Sequence, residues 1–431
     1  MAKTFRPYDR DQLRLMPPAL ADWVPEGHLA RFVSDLVDDL DLTAIEDTYA
    51  EERGYPPYHP RMMVTGLLYA YCTGTYSSRK IAARLEDSVA FRFLAAENQP
   101  DFRTISDFRK RHSAALAGLF TQVLRVCRQA GLVKLGRVAI DGTRMKANAS
   151  KHKAMSYGRM GEKEAALEAE IAELLRRAEQ VDRDEDAQHG PDRRGDELPA
   201  ELTRRESRLQ KIREAKAALE AEARAQVERA GKDPTQAPPS PQAQRNFTDP
   251  ESRIQKTSDG FIQGYNAQAA VDATAQVIVA HDVTPMAADV GQLMPLVRAI
   301  GRTLRQRPRQ VLADAGYCSE ENLQTLAETA VDAYIATGRQ QHTEWQAPAP
   351  RGRPPADLTR RERMARKLRT VQGRAVYACR KAIVEPVFGQ IKHARGFRQF
   401  LRRGQTAVRH EWALLCTVHN ILKLHTASAL P

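Results

Sequence analysis

The sequence has few cysteines, few aromatic residues (6%) and no long apolar run. Its five cysteines stand far apart without a CxxC pair, which argues against a disulfide scaffold and a thiolate zinc site. The longest apolar stretches, 64–72 and 412–418, are far shorter than the roughly 18–20 residues that a membrane span needs. The first residues have no apolar signal core. We therefore predict a cytoplasmic protein with no membrane partner.

The chain carries 66 basic and 54 acidic residues, and this excess of positive charge is confined to one stretch. Residues 351–411 contain 17 Lys or Arg and 4 Asp or Glu, so the other 370 residues sum to a net charge of −1. A polyphosphate partner requires such a local concentration, because each neutralised phosphate releases counterions. The stretch includes a long apolar-rich segment, which favours a nucleic-acid surface over a solvated basic face.

Residues 1–130 are predicted to form an all-helical DNA-binding domain. Apolar residues recur at helical spacing in 28–40, 76–96 and 104–126, with Ser, Thr and Asp at suitable N-cap positions. The pattern fits a helix-turn-helix that places Arg103 and Arg109 against DNA. It fits equally well a small helical bundle with a charged exterior, and both interpretations stay open.

Residues 131–431 are predicted to form a second domain with two insertions. In 151–246, Leu167, Ile171 and Leu174 have heptad spacing, and 209–223 repeats a similar alternation. Two such helices joined by an acidic loop predict an antiparallel coiled-coil hairpin, with a flexible charged linker as the alternative. The basic, proline-bearing segment 339–372 is predicted to be a loop insertion.

The rest of this domain alternates between strand and helix patterns. GYNAQAAVDA and QVIVAHDV are typical of paired strands, and QVLA and VDAYIAT of further strands. Residues 291–304 and 319–328 have helical patterns, and a final helical region is predicted over 374–425. This order predicts an α/β fold with a mixed sheet flanked by helices.

Two carboxylates follow short apolar strands of this predicted sheet. Asp141 comes after RVAI and Asp314 after QVLA, and each precedes a glycine-containing turn. Carboxylates at the ends of neighbouring strands converge on one crevice and form an all-oxygen site suited to Mg²⁺ or Mn²⁺. The alternative is that each Asp only caps a turn.

A third carboxylate, Glu385, lies inside the basic stretch. On a continuous helix it shares a sector of about 80° with Tyr377, Lys381 and Lys392, a combination suited to binding metal and phosphate. Pro386 offers another interpretation, because proline favours the first helical turn. A helix that began at 386 would leave only Glu385 and Lys392 on a common face.

The ordered pieces IDGTRMKANAS, VLADAGY and EPVFGQIKHARGFRQFLRRG resemble the DDE transposases of bacterial insertion sequences, above all the 1182 family. GYNAQAAVD, HDVTPMAADVGQLMP, CTVHNILKL and the N-terminal HPRMMVTGLLYAY and DFRTISDFRKRH add to the resemblance. The resemblance implies an RNase H-like catalytic core in which Asp141, Asp314 and Glu385 bind two Mg²⁺ or Mn²⁺ ions. It also implies cleavage at the ends of an insertion sequence and joining of the 3′ ends to target DNA.

Related transposases often carry Tyr, Arg, Glu and Lys with two, three and six residues between them. Lys392 fits the last step, whereas Tyr377 and Arg380 each lie one residue early and Lys381 occupies the Arg position. The predicted DNA contacts are Lys146, Tyr377, Arg380, Lys381, Lys392, Arg395, Arg398, Arg402, Arg403, Arg103 and Arg109.

The partners implied are the terminal inverted repeats, target DNA and at least one further copy of the chain on paired ends, all at the bacterial nucleoid. A metal-dependent nuclease or resolvase and a catalytically silent DNA-binding derivative are the alternatives. Asp272, Asp282 and Asp289 are alternative second metal ligands. Trp345 or Trp412 could stack on a flipped base, or simply pack.

Overall fold

The computed structural model describes residues 19–49, 56–189, 200–229, 231, 233, 238–258, 260–338, 351–352, 354–355 and 357–428, without the side chains of 177–189, 200–203 and 229. The chain divides into two compact units. The helical unit comprises Met1–Lys134, Ala394–Gly396 and Ala413–Pro431. The sheet unit comprises Leu135–His393 and Phe397–Trp412.

The N-terminal region is helical, as predicted. Its helices are α1 Leu29–Asp38, α2 Thr43–Glu46, α3 Pro60–Cys72, α4 Ser78–Asp87, α5 Val89–Ala95, α6 Phe102–Arg111 and α7 Ser113–Gln129. Local caps begin several of them: the Asp101 carboxylate, for example, accepts a hydrogen bond from the N–H of Thr104 at 2.7 Å. Val33, Leu68 and Leu124 are fully buried on the apolar faces. Each such side chain contributes about 1.5–3 kcal/mol when buried.

The sheet unit is built on a mixed six-stranded sheet, as predicted. The strands of the chain are β1 Arg137–Lys146, β2 Ala154–Ser156, β3 Gln244–Asn246, β4 Arg253–Thr257, β5 Gly260–Asp272, β6 Ile278–Thr284, β7 Gln310–Ala313 and β8 Asp332–Ile335. β4 and β6 both pair with one edge of β5, followed across the sheet by β1, β7 and β8. β1 runs antiparallel to β5 and parallel to β7, and β7 runs parallel to β8.

Two long helices, α8 Tyr157–His189 and α9 Ala200–Arg229, occupy the predicted insertion. Leu167 packs with Leu209, Ile212 and Leu219 in a buried cluster. Glu164 of α8 pairs with Lys216 of α9. Glu170, which lies further along α8, pairs with Arg205, which lies earlier in α9. The two helices are therefore antiparallel. The short strands β2 and β3, which no sequence pattern predicted, pair with each other at the ends of the insertion.

The remaining helices are α10 Leu293–Leu304, α11 Glu320–Glu328, α12 Arg360–Arg369, α13 Val371–Gly389 and α14 Gln405–Ser428. The prediction of a loop over 339–372 is wrong for α12, which begins with a capping box between Thr359 and Glu362. Residues 339–350 lie outside the described part. The predicted helical region 374–425 is interrupted between α13 and α14, where a π-helical turn spans Gln390–Ala394.

Within the described ranges, no helix is both long enough and apolar enough to cross a lipid bilayer.

Candidate active site

Asp141 lies in the middle of β1 and not at its end, so the prediction that it closes the strand is wrong. The strand continues to Lys146 because 143–146 pair with β5 as regularly as the preceding residues do. Gly142 is part of the ladder and forms no turn. A Cβ there would lie 2.3 Å from Gln268 Nε2 and 2.7 Å from Asn266 Oδ1, so glycine is required by this close approach.

The register of two parallel strands brings the first two carboxylates together. Ile140 of β1 pairs with Ala313 of β7, so Asp141 and Asp314 are the next residues on adjacent strands. Adjacent strands are about 4.8 Å apart. β7 ends at Ala313, and the Asp314 carboxylate caps the following turn by accepting a hydrogen bond from Gly316 N at 2.9 Å.

Glu385 lies on α13, which packs against β1, β5 and β7. The helix continues through Pro386, so the interpretation in which it begins at 386 is wrong. Pro386 has no N–H for the carbonyl of Ala382, and that oxygen accepts a hydrogen bond from Gln276 Nε2 at 3.0 Å instead. Ile383, Val384 and Val387 face the core, whereas the Glu385 side chain is 54% exposed.

Arg380 links two of these acids. Its Nη1 lies 2.9 Å from Asp141 Oδ2, and its Nη2 lies 3.9 Å from Glu385 Oε1. Sequence spacing argued against Arg380, because it lies one residue early. Spacing describes where a side chain leaves the helix, whereas a long arginine side chain can still reach its partner.

The positive charge of Arg380 does not offset the burial of Asp141 and Asp314. Burial raises the pKa of Asp141 to about 6; the Arg380 guanidinium opposes this shift and Asp314 adds to it. Burial also raises the pKa of Asp314. A buried carboxyl resists ionisation unless a cation offsets the loss of water, and here one guanidinium is insufficient.

A fourth acid, Asp289, approaches from the other face of β1. Its Oδ1 accepts hydrogen bonds from Asn266 Nδ2 at 2.6 Å and Gln268 Nε2 at 2.7 Å, and Arg144 Nη1 lies 3.5 Å away. Tyr317 Oη donates to Gln268 Oε1 in the same network. The sequence offered no signal for these amide contacts, because they join residues that are far apart in the chain.

The other two alternative ligands have structural partners elsewhere. Asp272 is fully buried and accepts hydrogen bonds from Leu135 N at 2.7 Å and Thr274 N at 2.8 Å. Asp282 pairs with Arg409 Nε at 2.8 Å.

The predicted DNA contacts fall into three groups. Lys146, Lys392 and Arg398 line one groove of the sheet unit. The second group also belongs to the sheet unit. Tyr377 is half-buried and Lys381 is exposed on α13, the helix that carries Arg380. The exposed Arg403 donates to Asn148 O at 2.9 Å. Arg402 is half-buried in the sheet unit, and its backbone N–H donates to Glu411 Oε2 at 3.2 Å.

The third group belongs to the helical unit. Arg109 donates to Tyr76 O at 2.9 Å and to Tyr71 Oη at 3.1 Å, so its guanidinium is used inside this unit. Arg395 is half-buried there, and burial lowers its pKa. Arg103 is exposed, with its guanidinium 5.7 Å from the centre of the Phe102 ring.

Of the two tryptophans suggested for base stacking, the structure describes Trp412. Trp412 is fully buried, and its Nε1 donates to Gln268 O at 2.9 Å, so it packs in the core. Trp345 lies outside the described residues.

The donor set at the acids suits a divalent cation. Within the described ranges, no three His, Cys, Asp or Glu side chains stand at coordination spacing. Asp141, Asp314 and Glu385 nevertheless offer only oxygen ligands, which Mg²⁺ and Mn²⁺ prefer. The raised carboxyl pKa values indicate a place where additional positive charge would stabilise the ionised acids.

Two family models match the chain. A family described as "Transposase domain (DUF772)" matches residues 18–111, and one described as "Transposase DDE domain" matches residues 233–421. Together they match 283 of the 431 residues. Neither match distinguishes the 1182 family, which stays a prediction. No curated protein and no solved structure matches the chain at a significant level.

Proposed function

The chain belongs to the DDE transposases, enzymes that cleave DNA and transfer strands, and we propose that Asp141, Asp314 and Glu385 are its catalytic acids. The proposed reaction cuts DNA at the ends of an insertion sequence and joins the 3′ ends to target DNA. The observation that carries this assignment is the register that makes Asp141 and Asp314 neighbours, with Arg380 joining Asp141 to Glu385.

The family implies dependence on a divalent metal, and we propose two Mg²⁺ or Mn²⁺ ions held by these three acids. When bound, such ions activate the attacking hydroxyl and stabilise the leaving 3′ oxygen. The chain's own contribution is to hold three carboxylates in place. Arg380 orients Asp141 and Glu385, and the hydrogen bond from Gly316 N orients Asp314.

Asp314 is a better second ligand than Asp289. Asp289 Oδ1 accepts from two buried amides, and Oδ2 is 3.5 Å from Arg144 Nη2. In contrast, among the described residues Asp314 accepts a hydrogen bond from Gly316 N, through Oδ1, and its Oδ2 remains for a metal ion. We propose that Asp289 orients Asn266, Gln268 and Arg144 around the site and does not bind metal.

Basic side chains near the acids would position DNA phosphates without reading bases. Lys392 Nζ donates to Arg144 O at 2.8 Å, which holds the ammonium beside β1. We assign Lys146, Lys392 and Arg398 to the phosphates of the strand that reacts.

Several larger features follow the same proposal. The strand order, with two parallel strands added to an antiparallel set, supports the proposal of an RNase H-like core. We propose that the helical unit binds the terminal inverted repeats and that the α8–α9 pair is a coiled coil that helps two copies hold paired ends. The reaction would take place at the nucleoid, in the cytoplasm.

The test is strand cleavage and joining on DNA that carries the element's own ends, with Mg²⁺ or Mn²⁺. We expect the parent chain to perform both steps, and Asp141→Asn, Asp314→Asn and Glu385→Gln each to lower both by at least about 10³-fold while DNA binding survives. Asp282→Asn, a carboxylate paired with Arg409, is the matched control and should remain active.

Cleavage without joining would favour a nuclease or resolvase, and binding without either step would favour a silent derivative. Full activity in any of the three variants, or loss of DNA binding together with activity, would contradict the assignment of the acids.

A further inference from the structure

A basic groove runs beside the end of β1 in the sheet unit. We use "basic groove" for the cleft of about 820 Å³ that is lined by Arg144, Lys146, Lys151, Lys392, Arg398 and Phe261, together with uncharged side chains and His393. No acidic side chain is among the described residues that line it. Its volume lies in the usual range of ligand pockets. Five cations around one cleft, of which Arg144 also pairs with Asp289, favour an anionic occupant.

The groove lies at the far end of the strand that carries Asp141. Asp141 and Lys146 lie on the same strand, five residues or roughly 16 Å apart. The backbone of 398–400 is fixed to the end of β1, because Lys146 N donates to Arg398 O at 3.3 Å and Phe400 N donates to Lys146 O at 2.9 Å. The groove therefore has a wall that is fixed to the end of β1.

The cations in the groove are crowded. Burial, together with the charges of Arg398 and Arg144, lowers the pKa of Lys392 to about 8. Arg398 Nε donates to Lys392 O at 3.2 Å, which keeps the two side chains close. A phosphate between these groups would relieve their mutual repulsion.

Phe261 is the unexpected member of the groove. It is 60% exposed, in a strand whose later residues are almost all buried. The β4–β5 hairpin fixes its position, because Phe261 pairs with Lys256 in the ladder. An exposed aromatic ring among cations has no packing role here. It is the usual platform on which an unpaired base stacks.

We propose that the basic groove binds a single-stranded stretch of DNA, with phosphates on its cations and one unpaired base stacked on Phe261. The inference rests on the proposed function, since it takes the bound strand to be the one that leads to the acids. A duplex gains little from Phe261, because its bases already stack on one another. Single-strand binding is therefore the property that separates this groove from a general phosphate surface.

The test compares binding of a labelled thymidine oligonucleotide of about twelve nucleotides with a duplex of the same length, by fluorescence anisotropy on the full chain without metal. We expect Phe261→Ala to weaken single-strand binding about tenfold and duplex binding less than about twofold. Phe261→Tyr should bind as the parent does. Val371→Ala, which shortens another exposed apolar side chain, is the matched control.

Two results would overturn the proposal: unchanged single-strand binding in Phe261→Ala, or equal loss on both ligands in a variant that melts at the parent temperature. A second readout is the fluorescence of a 2-aminopurine base, which should be quenched by the parent and by Phe261→Tyr but not by Phe261→Ala. Single-strand binding through Phe261 in a chain that neither cuts nor joins DNA would contradict the proposed function alone.

Discussion

Ion pairs at the proposed catalytic acids and ion pairs on the α8–α9 helices are made by the same residue types but differ in how far the arginine is buried. The Arg380 and Asp141 side chains are 10% and 18% exposed, whereas Glu164 is also 18% exposed but its partner Arg213 is 53% exposed. Burial raises the pKa of Asp141 despite Arg380, whereas hydrogen bonds from Lys216 and Arg213 lower the pKa of Glu164. The charges on the α8–α9 helices are balanced by their partners. The acids on β1 and after β7 would be stabilised in their ionised form by a further cation, as is common at functional sites.

The largest expected effect of this difference is on stability. Arg380→Ala leaves a buried Asp141 carboxylate unpaired, so we expect the free energy of unfolding to fall by about 3 kcal/mol and strand transfer to be lost. Arg213→Ala should leave the unfolding midpoint unchanged within error, because solvent replaces an exposed partner. Urea unfolding of both variants measures the contrast. Equal effects would contradict the distinction between buried and exposed pairs.

Alanine substitutions at one glycine in β1 and one in α8 should change the stability in opposite directions, by smaller amounts. Gly142→Ala places a Cβ against Gln268, Asn266 and Asp289, so we expect a loss of about 1–3 kcal/mol in unfolding free energy and reduced activity. Gly161→Ala in α8 meets nothing within 4 Å and should stabilise the helix by about 0.5–1 kcal/mol. Thermal unfolding should show a lower melting temperature for Gly142→Ala and a higher one for Gly161→Ala. An unchanged melting temperature in Gly142→Ala would argue against tight packing behind β1.

The smallest expected effect is a pH dependence of DNA binding. Lys392, with a pKa of about 8, is charged below that pH and largely neutral above it, whereas a bound phosphate favours the charged form. Binding above pH 8 must therefore take up a proton, so affinity should fall by up to about tenfold between pH 7 and pH 9. Lys392→Arg should remove most of this slope, and Lys392→Gln should bind more weakly at pH 7. An unchanged slope in Lys392→Arg would assign the pH effect to another group.

The sequence predicted the mixed sheet and most of its strands, because β-branched runs and helical periods are local signals. It failed at Asp141, where Gly142 suggested a turn. Only the neighbouring strand explains why a glycine stands inside the ladder. It also failed over 360–369, where basic and proline-rich composition obscured the Thr359–Glu362 capping box.

The three proposed acids were chosen from sequence motifs, whereas their surroundings were not predicted. The contacts of Arg380 and Asp289 depend on which side chains the sheet and α13 bring together, and no local pattern encodes them. The exposure of Phe261 is likewise a property of the folded hairpin. The roles assigned to all these residues stay predictions.

The central claim is that three distant acids share one divalent-metal site. Its most direct measurement is cleavage of the backbone by Fe²⁺ bound in place of Mg²⁺, with hydrogen peroxide and ascorbate added. Both ions accept oxygen ligands, and Fe²⁺ reduces the peroxide to a hydroxyl radical where it is bound while ascorbate regenerates Fe²⁺. We expect cuts near Asp141, Asp314 and Glu385 that excess Mg²⁺ suppresses and that Asp141→Asn abolishes. Cuts confined to other segments, or an unchanged pattern in Asp141→Asn, would contradict the account.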